Sequence, residues 1–187
     1  CTAPANYFHI LRRQLHRDFR KPLILMTPKS LLRNKLAVSD LAHMGPKTSF
    51  HRVLWDDGEL KFDKAIKRVV LCSGKIYYDL FEARAKLGID DVYLMRMEQL
   101  YPFPNEALRE ELSRFNKAEI VWCQEESKNQ GAWFFVAPRL EEVLHAIKAT
   151  HRRPRYAGRP ESASPASGLY SEHMVEQLQL VHAALTG

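Results

Sequence analysis

Two short polar segments carry the residue types most suited to binding or acid–base chemistry. The first, Ser73-Gly74-Lys75, separates an apolar run that predicts a buried strand from a pattern that predicts a helix. Such a turn leaves free N–H groups at the start of a helix, and these attract anions. The segment has neither the GxGxxG nor the GxxxxGK[ST] spacing of glycine-rich phosphate loops. We therefore favour a plain strand-to-helix turn, with a phosphate cradle as the alternative.

The second segment, Gln124-Glu125-Glu126, follows another predicted strand at the same edge of the sheet. Paired carboxylates can serve as general acid and base. Neighbouring residues on a strand point to opposite faces, however, so these two carboxylates are not expected to meet. We predict a structural or interface role for this segment.

A dense group of basic residues near the beginning of the chain forms a third candidate. Guanidinium and ammonium groups recognise anionic ligands, and Thr27 and Ser30 lie among them. The alternative is a solvated face that also contacts another part of the protein. The group comprises Arg12, Arg13, Arg17, Arg20, Lys21, Lys29, Arg33 and Lys35.

The histidines and cysteines give no catalytic pattern. The eight histidines include no HExxH motif, so surface or interface positions are expected for them. The three cysteines form no CxxC pair, and Cys72 and Cys123 end apolar runs, which predicts buried thiols in a reducing compartment. A GxSxG elbow is also absent, so the residues by themselves predict no catalytic centre.

Alternating strands and helices position the two polar segments. Near-continuous apolar runs at residues 69–72, 92–97 and 120–123 predict strands, and residues 75–87 and 106–115 predict the helices between them. Strands that are apolar on both faces indicate a parallel sheet. The predicted fold is therefore α/β, a mostly parallel sheet with helices on both faces.

Further elements are expected on either side of this unit. Residues 2–17 predict a helix, residues 22–27 a buried strand, and residues 133–148 another helix. An edge strand is expected at Arg155-Tyr156, and a final amphipathic helix at residues 171–185. The side chains expected on the buried face of that helix are Met174, Leu178, Val181 and Leu185.

Length and composition limit the possible classes of protein. The 187 residues, 45% hydrophobic and 27% charged, suit one globular domain or slightly more. The longest apolar runs fall far short of the roughly 20 residues that a membrane span needs. The net charge is +6, and the basic residues are interleaved with acidic ones along most of the chain. This pattern argues against nucleic acid as a binding partner and favours an anionic small molecule or an acidic partner. Because the chain starts with Cys1, we expect a piece of a longer protein.

Several long motifs, in one order, resemble a known family. They are NYFHILRRQ (residues 6–14), RKPLI (20–24), TPKSLLR (27–33), CSGKIYYD (72–79), EQLYPFP (98–104), WCQEE (122–126), NQGAW (129–133) and YAGRP (156–160). The motifs resemble the carboxyl-terminal region of 2-oxoglutarate dehydrogenases. These enzymes depend on thiamine diphosphate and are the first, decarboxylating component of the 2-oxoglutarate dehydrogenase complex. The resemblance covers essentially the whole chain.

The resemblance implies a transketolase-type homodimer to which this chain contributes the carboxyl-terminal region. Residues 1–35 would end the pyrimidine-binding domain, and residues 36–187 would form the carboxyl-terminal α/β domain. The full enzyme would decarboxylate 2-oxoglutarate and succinylate a lipoyl group of the succinyltransferase, in the tricarboxylic acid cycle. The implied partners are the rest of its own chain, a second subunit, dihydrolipoyl succinyltransferase and lipoamide dehydrogenase, in the bacterial cytoplasm or the mitochondrial matrix.

The resemblance assigns no catalytic, cofactor-binding or metal-binding residue to this chain, because the family's residues of those kinds would precede Cys1. Thiamine diphosphate and magnesium are thus implied for the full-length enzyme, and the chain alone is expected to be inactive. An alternative is a stand-alone regulatory module that binds acetyl-coenzyme A, as some family members do, or an adenine nucleotide such as AMP. Arg13, Lys21 and Arg33 are then the candidate effector-binding residues.

Overall fold

Two compact units, Cys1–Arg52 and Val53–Gly187, make up the chain. The structure is a computed structural model and describes residues 1–187. The predicted domain boundary after residue 35 depends on a larger domain to which residues 1–35 would belong, and it stays a prediction.

The first unit contains one α-helix, α1 (Pro4–His16). Pro4 stands in the first turn, as predicted, where the missing N–H of proline costs no hydrogen bond. The residue at the cap is Ala3, which has no side-chain acceptor, and the Ser39 hydroxyl oxygen instead accepts a hydrogen bond of 3.1 Å from the N–H of Ala5 in the first turn. Two short 3-10 turns follow, at Lys29–Arg33 and Leu41–Met44.

Helix α1 is held by its polar side. Asn6 exchanges two hydrogen bonds of 2.9 Å with the backbone of His51, and Nε2 of His9 lies 2.8 Å from the carbonyl oxygen of His43. The buried residues of this unit are Thr2, Asn6 and His9, all of them polar. The apolar side of the helix is exposed, and it consists of Tyr7, Phe8, Leu11 and Leu15.

The buried strand predicted at residues 22–27 is wrong. This segment is neither helix nor strand, and Ile24 and Met26 are 79% and 91% exposed. A strand needs a neighbour for its N–H and C=O groups, and the first unit contains no strand that could pair with it. The apolar run therefore lies on the surface.

The second unit is built on a five-stranded sheet. In chain order the strands are β1 (Val53–Leu54), β2 (Arg68–Cys72), β3 (Val92–Met97), β4 (Glu119–Ser127) and β5 (Arg155–Arg159). Across the sheet the order is β1-β3-β2-β4-β5, with β2 to β5 parallel and the edge strand β1 antiparallel. The predicted α/β fold with a mostly parallel sheet is confirmed.

Helices cover both faces of the sheet. They are α2 (Ile76–Lys86), α3 (Asn105–Leu112), α4 (Trp133–Ala146) and α5 (Tyr170–Thr186). Because side chains alternate along a strand, Leu71 and Trp122 pack into one core with α3 and α4. The opposite face is covered by α2 and α5, which also contact each other. No helix of the chain combines the length and apolar content of a membrane span.

The edge of strand β3 is completed by a side chain. Strand β1 pairs only with the end of β3, and beyond it the Asp56 carboxylate accepts a hydrogen bond of 2.6 Å from the N–H of Leu94. The same carboxylate binds the Arg84 guanidinium through two hydrogen bonds, and the guanidinium also donates to the Val92 carbonyl at 2.9 Å. The Asp56 side chain is 0% exposed, so this ion pair is fully buried.

The face that α5 buries differs in part from the predicted one. Val181 and Leu185 are buried, as predicted, whereas Met174 and Leu178 are exposed. The polar Gln177 takes a place on the buried face instead. Apolar residues extend around more of α5 than the sheet covers, so their pattern alone could not fix the buried side.

Candidate functional site

The strand order creates a switch point between β2 and β4. From β2 the chain passes through α2 to β3 on one side of the sheet, and then crosses through α3 to β4 on the other side. The connections leave this point in opposite directions, and the crevice between them is where open α/β sheets bind ligands. Ser73 and Gly74 follow β2 at this edge, and Gln124 and Glu126 lie at the corresponding end of β4. The two polar segments predicted from the sequence therefore do meet at one edge.

A pocket of about 480 Å³ fills this crevice. Its walls are mainly apolar and come from Leu100, Tyr101, Trp122 and Phe135. A volume of a few hundred Å³ with apolar walls and a few polar groups is typical of small-molecule sites.

Gln124 fixes the floor of this pocket. Its side-chain oxygen accepts hydrogen bonds from the Trp122 indole N–H at 2.9 Å and from the backbone N–H groups of Ala132 at 3.2 Å and Trp133 at 3.0 Å. The last two groups belong to the first turn of α4, which Gln124 therefore caps. Sequence analysis missed this role, and the one available signal was the position of Gln124 two residues after the inward-facing Trp122.

The amide nitrogen of Gln124 holds the loop beside the pocket. It donates to the carbonyl oxygens of Glu126, Ser127 and Gln130 at 3.2, 3.1 and 2.8 Å. Gly131, in the same loop, has a φ of +64°, and a Cβ there would lie 2.9 Å from Nε2 of Gln124. Glycine is required at this position by the left-handed backbone and by the close approach of the amide.

The Lys75 ammonium is committed to an ion pair with the Glu125 carboxylate. Glu125 also accepts a hydrogen bond of 3.0 Å from the Gln177 amide, which donates to Asp79 at 2.7 Å. Because Lys75 serves this cluster, the structure favours the plain turn over a phosphate cradle. Glu125 contacts Gln177 of α5, whereas Glu126 lines the pocket on the other side of β4, so the two carboxylates lie apart, as predicted.

Cys72 and Cys123 lie opposite each other on β2 and β4, and both are buried, as predicted. Burial raises the pKa of the Cys72 thiol to about 12 and raises that of Cys123 as well. Both thiols therefore stay protonated at neutral pH, which makes them poor nucleophiles.

The three candidate effector-binding residues lie in separate surroundings of the first unit. The Arg13 guanidinium lies over the Phe50 ring, 4.3 Å from its centre, and partial burial lowers the pKa of Arg13. The Lys21 ammonium is 5.7 Å from the centre of the Phe19 ring. Arg33 lies exposed in the first 3-10 turn. That these residues bind one ligand together stays a prediction.

Three histidines gather between α1 and the end of the first unit. Partial burial is the main cause of the lowered pKa of His51, and electrostatic repulsion from His9 and His43 lowers it further. His9 is buried rather than at the surface, and its Nδ1 has no hydrogen-bond partner. Within residues 1–187, no group of three or more His, Cys, Asp or Glu side chains is placed to hold a metal ion.

Comparison with known proteins points to one family. A family model described as 2-oxoglutarate dehydrogenase C-terminal matches residues 38–185. The 2-oxoglutarate dehydrogenase E1 component of Brucella abortus (strain S19) is 63% identical over 98% of this chain, and the match covers 19% of that protein. The E1 component of Brucella ovis is 62% identical with the same coverage. The chain thus spans about a fifth of the length of these curated relatives.

Proposed function

Because the chain belongs to the 2-oxoglutarate dehydrogenase C-terminal family, we propose that it forms the carboxyl-terminal part of a 2-oxoglutarate dehydrogenase first component. The full-length enzyme would decarboxylate 2-oxoglutarate and succinylate a lipoyl group of dihydrolipoyl succinyltransferase, in the tricarboxylic acid cycle. The observation that carries this proposal is the 63% identity to an E1 component over 98% of the chain.

In this proposal the chain serves scaffolding and association rather than the chemical steps. Thiamine diphosphate and magnesium are assigned to the rest of the full-length protein, as the resemblance to the family implies. The partners are a second subunit, the succinyltransferase and lipoamide dehydrogenase. The bacterial relatives support a cytoplasmic location.

The exposed apolar surface of the first unit supports a missing covering domain or partner, although the contacts of α1 with His43 and His51 keep residues 36–52 in the same unit. The apolar side of α1 and most of residues 22–27 are exposed, and a patch of that kind is normally covered by a partner or another domain. We assign residues 1–35 to the end of the pyrimidine-binding domain, whose remainder or second subunit would cover them. Light scattering should show that residues 1–187 self-associate more than residues 36–187 at matched concentration. Equal behaviour of the two would contradict the boundary.

Enzyme activity tests the main proposal. The full-length protein that carries these residues should reduce ferricyanide with 2-oxoglutarate as the donor and not with pyruvate. The 187-residue chain should show neither activity nor calorimetric binding of thiamine diphosphate in the presence of magnesium. Pyruvate-specific turnover, or micromolar cofactor binding by the chain alone, would overturn it.

The pocket at the switch point favours a second candidate function, the binding of acetyl-coenzyme A or AMP as an effector. Its volume of about 480 Å³ and aromatic walls suit a planar ring. A ligand at 100 times its dissociation constant stabilises a protein by about 2.7 kcal/mol, which a thermal-shift assay detects. Ala132→Leu should abolish the shift if the ligand occupies the pocket, and Arg33→Ala should abolish it if the basic residues bind it. No shift with either compound, with RNA as a control, would remove this candidate.

A further inference from the structure

A polar pocket lies at the edge of the sheet opposite the switch point. It is formed by the connection between α4 and β5, and it has a volume of about 560 Å³. Because β5 runs parallel to β4, this connection enters β5 at the amino ends of the strands, whereas Ser73 and Gln124 lie at the carboxyl ends. We call it the α4–β5 pocket. The residues that line it are His145, Thr150, His151, Arg152 and Arg153.

Every side chain that lines the α4–β5 pocket can donate a hydrogen bond. The set consists of two imidazoles, two guanidinium groups and one hydroxyl group, with no carboxylate and no aliphatic side chain. It differs from the pocket at the switch point, whose walls are mainly apolar. Guanidinium forks together with hydroxyl and imidazole groups are donors suited to anions, and above all to phosphate. A ligand of this pocket would therefore be recognised by its charge rather than by an apolar group.

Part of the basic charge near the pocket is used for structure. Residues 143–160 contain four arginines, one lysine and no Asp or Glu. Nε of Arg155 lies 2.8 Å from the Glu119 carboxylate, in an ion pair that joins β5 to β4. Nε of Arg159 lies 2.7 Å from the Glu176 carboxylate of α5. These two guanidinium groups are therefore committed, and neither of them lines the pocket.

The two guanidinium groups that do line the pocket have little compensation within the chain. Arg152 is exposed and forms no ion pair. Arg153 is 86% exposed on its side chain, and its one nearby carboxylate is that of Glu141, 3.9 Å away. Glu142, the other acidic residue of that turn, forms no ion pair with the pocket residues. Because an exposed pair at such a distance contributes little, both guanidinium groups are available to an anion from solution.

The backbone around the pocket is already fixed. The N–H groups of Lys148 and Ala149 donate to carbonyl oxygens in the last turn of α4, at 3.1 and 2.9 Å. The N–H of Thr150 donates to the carbonyl oxygen of Asn116 at 2.8 Å. These oxygens are therefore occupied and do not neutralise the cations of the pocket. An anion would also meet donors on an ordered loop, which lowers the entropy cost of binding.

Lys148 occupies a backbone position that glycine usually fills. Its φ is +56°, the left-handed value of the residue that ends a helix in a Schellman motif. The other left-handed residues of the second unit are all glycines. A lysine here strains the backbone, and strain of this kind is common at functional sites. The chain thus keeps a positive charge between His145 and Thr150 although glycine would fit the backbone better.

We propose that the α4–β5 pocket binds a compact phosphate-bearing anion, such as a diphosphate or a small phosphorylated metabolite. Arg152 and Arg153 bind the phosphate oxygens, and His145, His151 and the Thr150 hydroxyl donate to them. A phosphate group carries a charge of about −1.5 to −2 at pH 7 and offers three acceptor oxygens, which suits several donors around one pocket better than a single carboxylate does. The site does not depend on the enzyme assignment, and it lies apart from the two places considered above for an effector.

Calorimetric titration of the 187-residue chain with inorganic diphosphate tests the site. We expect one site, and Arg152→Gln should weaken binding about tenfold or more, because it removes a charged donor. Arg152→Lys keeps the charge but loses the fork, so it should weaken binding by a smaller factor. The matched control is Lys86→Gln, which removes one exposed charge from α2 on the other face of the sheet and should leave the affinity within about twofold. The melting temperatures of the variants check the fold.

Two results of this titration would overturn the proposal. One is the absence of binding up to about 10 mM diphosphate. The other is an equal loss of affinity with Arg152→Gln and Lys86→Gln, which would reveal attraction to the overall charge rather than to a site. Titration with citrate tests the chemical class. Diphosphate should bind more tightly than citrate, and the reverse order would exclude phosphate as the recognised group.

The side-chain NMR signals of the histidines locate the bound anion. Signals of His145 and His151, assigned with the single variants His145→Gln and His151→Gln, should shift on addition of diphosphate. The signal of His182 on α5 should stay in place and serves as the control. Diphosphate binding that leaves His145 and His151 unchanged would put the anion elsewhere and overturn the site.

Discussion

Replacement of Asp56 by asparagine should be among the most destabilising single changes in the second unit. The Asp56 carboxylate, 0% exposed, binds the Arg84 guanidinium and accepts hydrogen bonds from the N–H groups of Gly58 at 2.9 Å and Leu94 at 2.6 Å. Asp56→Asn keeps the shape but removes the charge and replaces one acceptor by a donor. Arg84, 5% exposed on its side chain, would then be a buried cation without a counterion.

The expected cost is about 3–5 kcal/mol, the range found when one partner of a buried ion pair is removed. This is a large part of the 5–15 kcal/mol that stabilises a typical domain. The matched control is Glu82→Gln, which removes an exposed partner 3.7 Å from Lys86 and should cost no more than about 0.5 kcal/mol. The double variant Asp56→Asn with Arg84→Met should recover at least about 1 kcal/mol relative to the sum of the single changes.

Guanidinium unfolding followed by tryptophan fluorescence measures these values directly. All three tryptophans, Trp55, Trp122 and Trp133, belong to the second unit, so their signal reports that unit. The m-value should stay unchanged, so that a shift of the midpoint reflects stability. A free energy of unfolding for Asp56→Asn within about 1 kcal/mol of that of the unmodified chain would show that the buried ion pair between Asp56 and Arg84 is replaceable.

Three further outcomes are expected. Because the pKa of His51 is lowered in the folded chain, the unfolded chain binds a proton at His51 more readily, and the first unit should lose stability as the pH falls below about 6.5. Hydrogen exchange at pH 7.5 and 5.5 should show faster opening of the first unit at the lower pH, and equal rates would contradict this. The Cys72 thiol, with its pKa raised to about 12, should react with a thiol reagent only on unfolding, whereas the exposed Cys1 should react at once. Rapid labelling of both cysteines in the native protein would disagree with the buried position of β2. Gly131→Ala should lower the free energy of unfolding by about 1–3 kcal/mol, because it strains a left-handed backbone and displaces Gln124. Calorimetry measures the change, and an unchanged melting temperature would show that the loop adjusts freely.

The central sheet was predictable because its signals are local. Strands β2, β3 and β4 contain nearly continuous apolar runs, and Gly88, with a φ of +64°, follows α2 where the helical pattern stops. Residues 22–27 have the same apolar character but are no strand, since pairing depends on a neighbouring strand that sequence composition does not reveal. Met174 and Leu178, which were expected on the buried face of α5, are exposed, because the apolar pattern of a helix does not reveal which part of it the neighbouring elements cover.

The candidate site was predictable in position but not in architecture. The βαβ pattern predicts parallel strands, whose carboxyl ends share one edge of the sheet, so Ser73 and Gln124 could be expected there although the strand order was not predicted. The partners of Gln124 lie up to nine residues further along the chain, in a loop whose path no propensity describes. The pairing of Lys75 with Glu125 spans 50 residues and was equally invisible.

The polar attachment of α1 has a thermal consequence. Unfolding of the first unit would expose the buried polar residues Thr2, Asn6 and His9 together with apolar side chains that are already partly exposed. Apolar exposure raises the heat capacity of unfolding and polar exposure lowers it, so the heat-capacity change per residue should be smaller for this unit than for the second unit. Its free energy of opening would then vary with temperature along a flatter curve than that of the second unit. Cooling weakens hydrophobic packing, and it should therefore loosen the sheet domain relative to the hydrogen bonds that anchor α1.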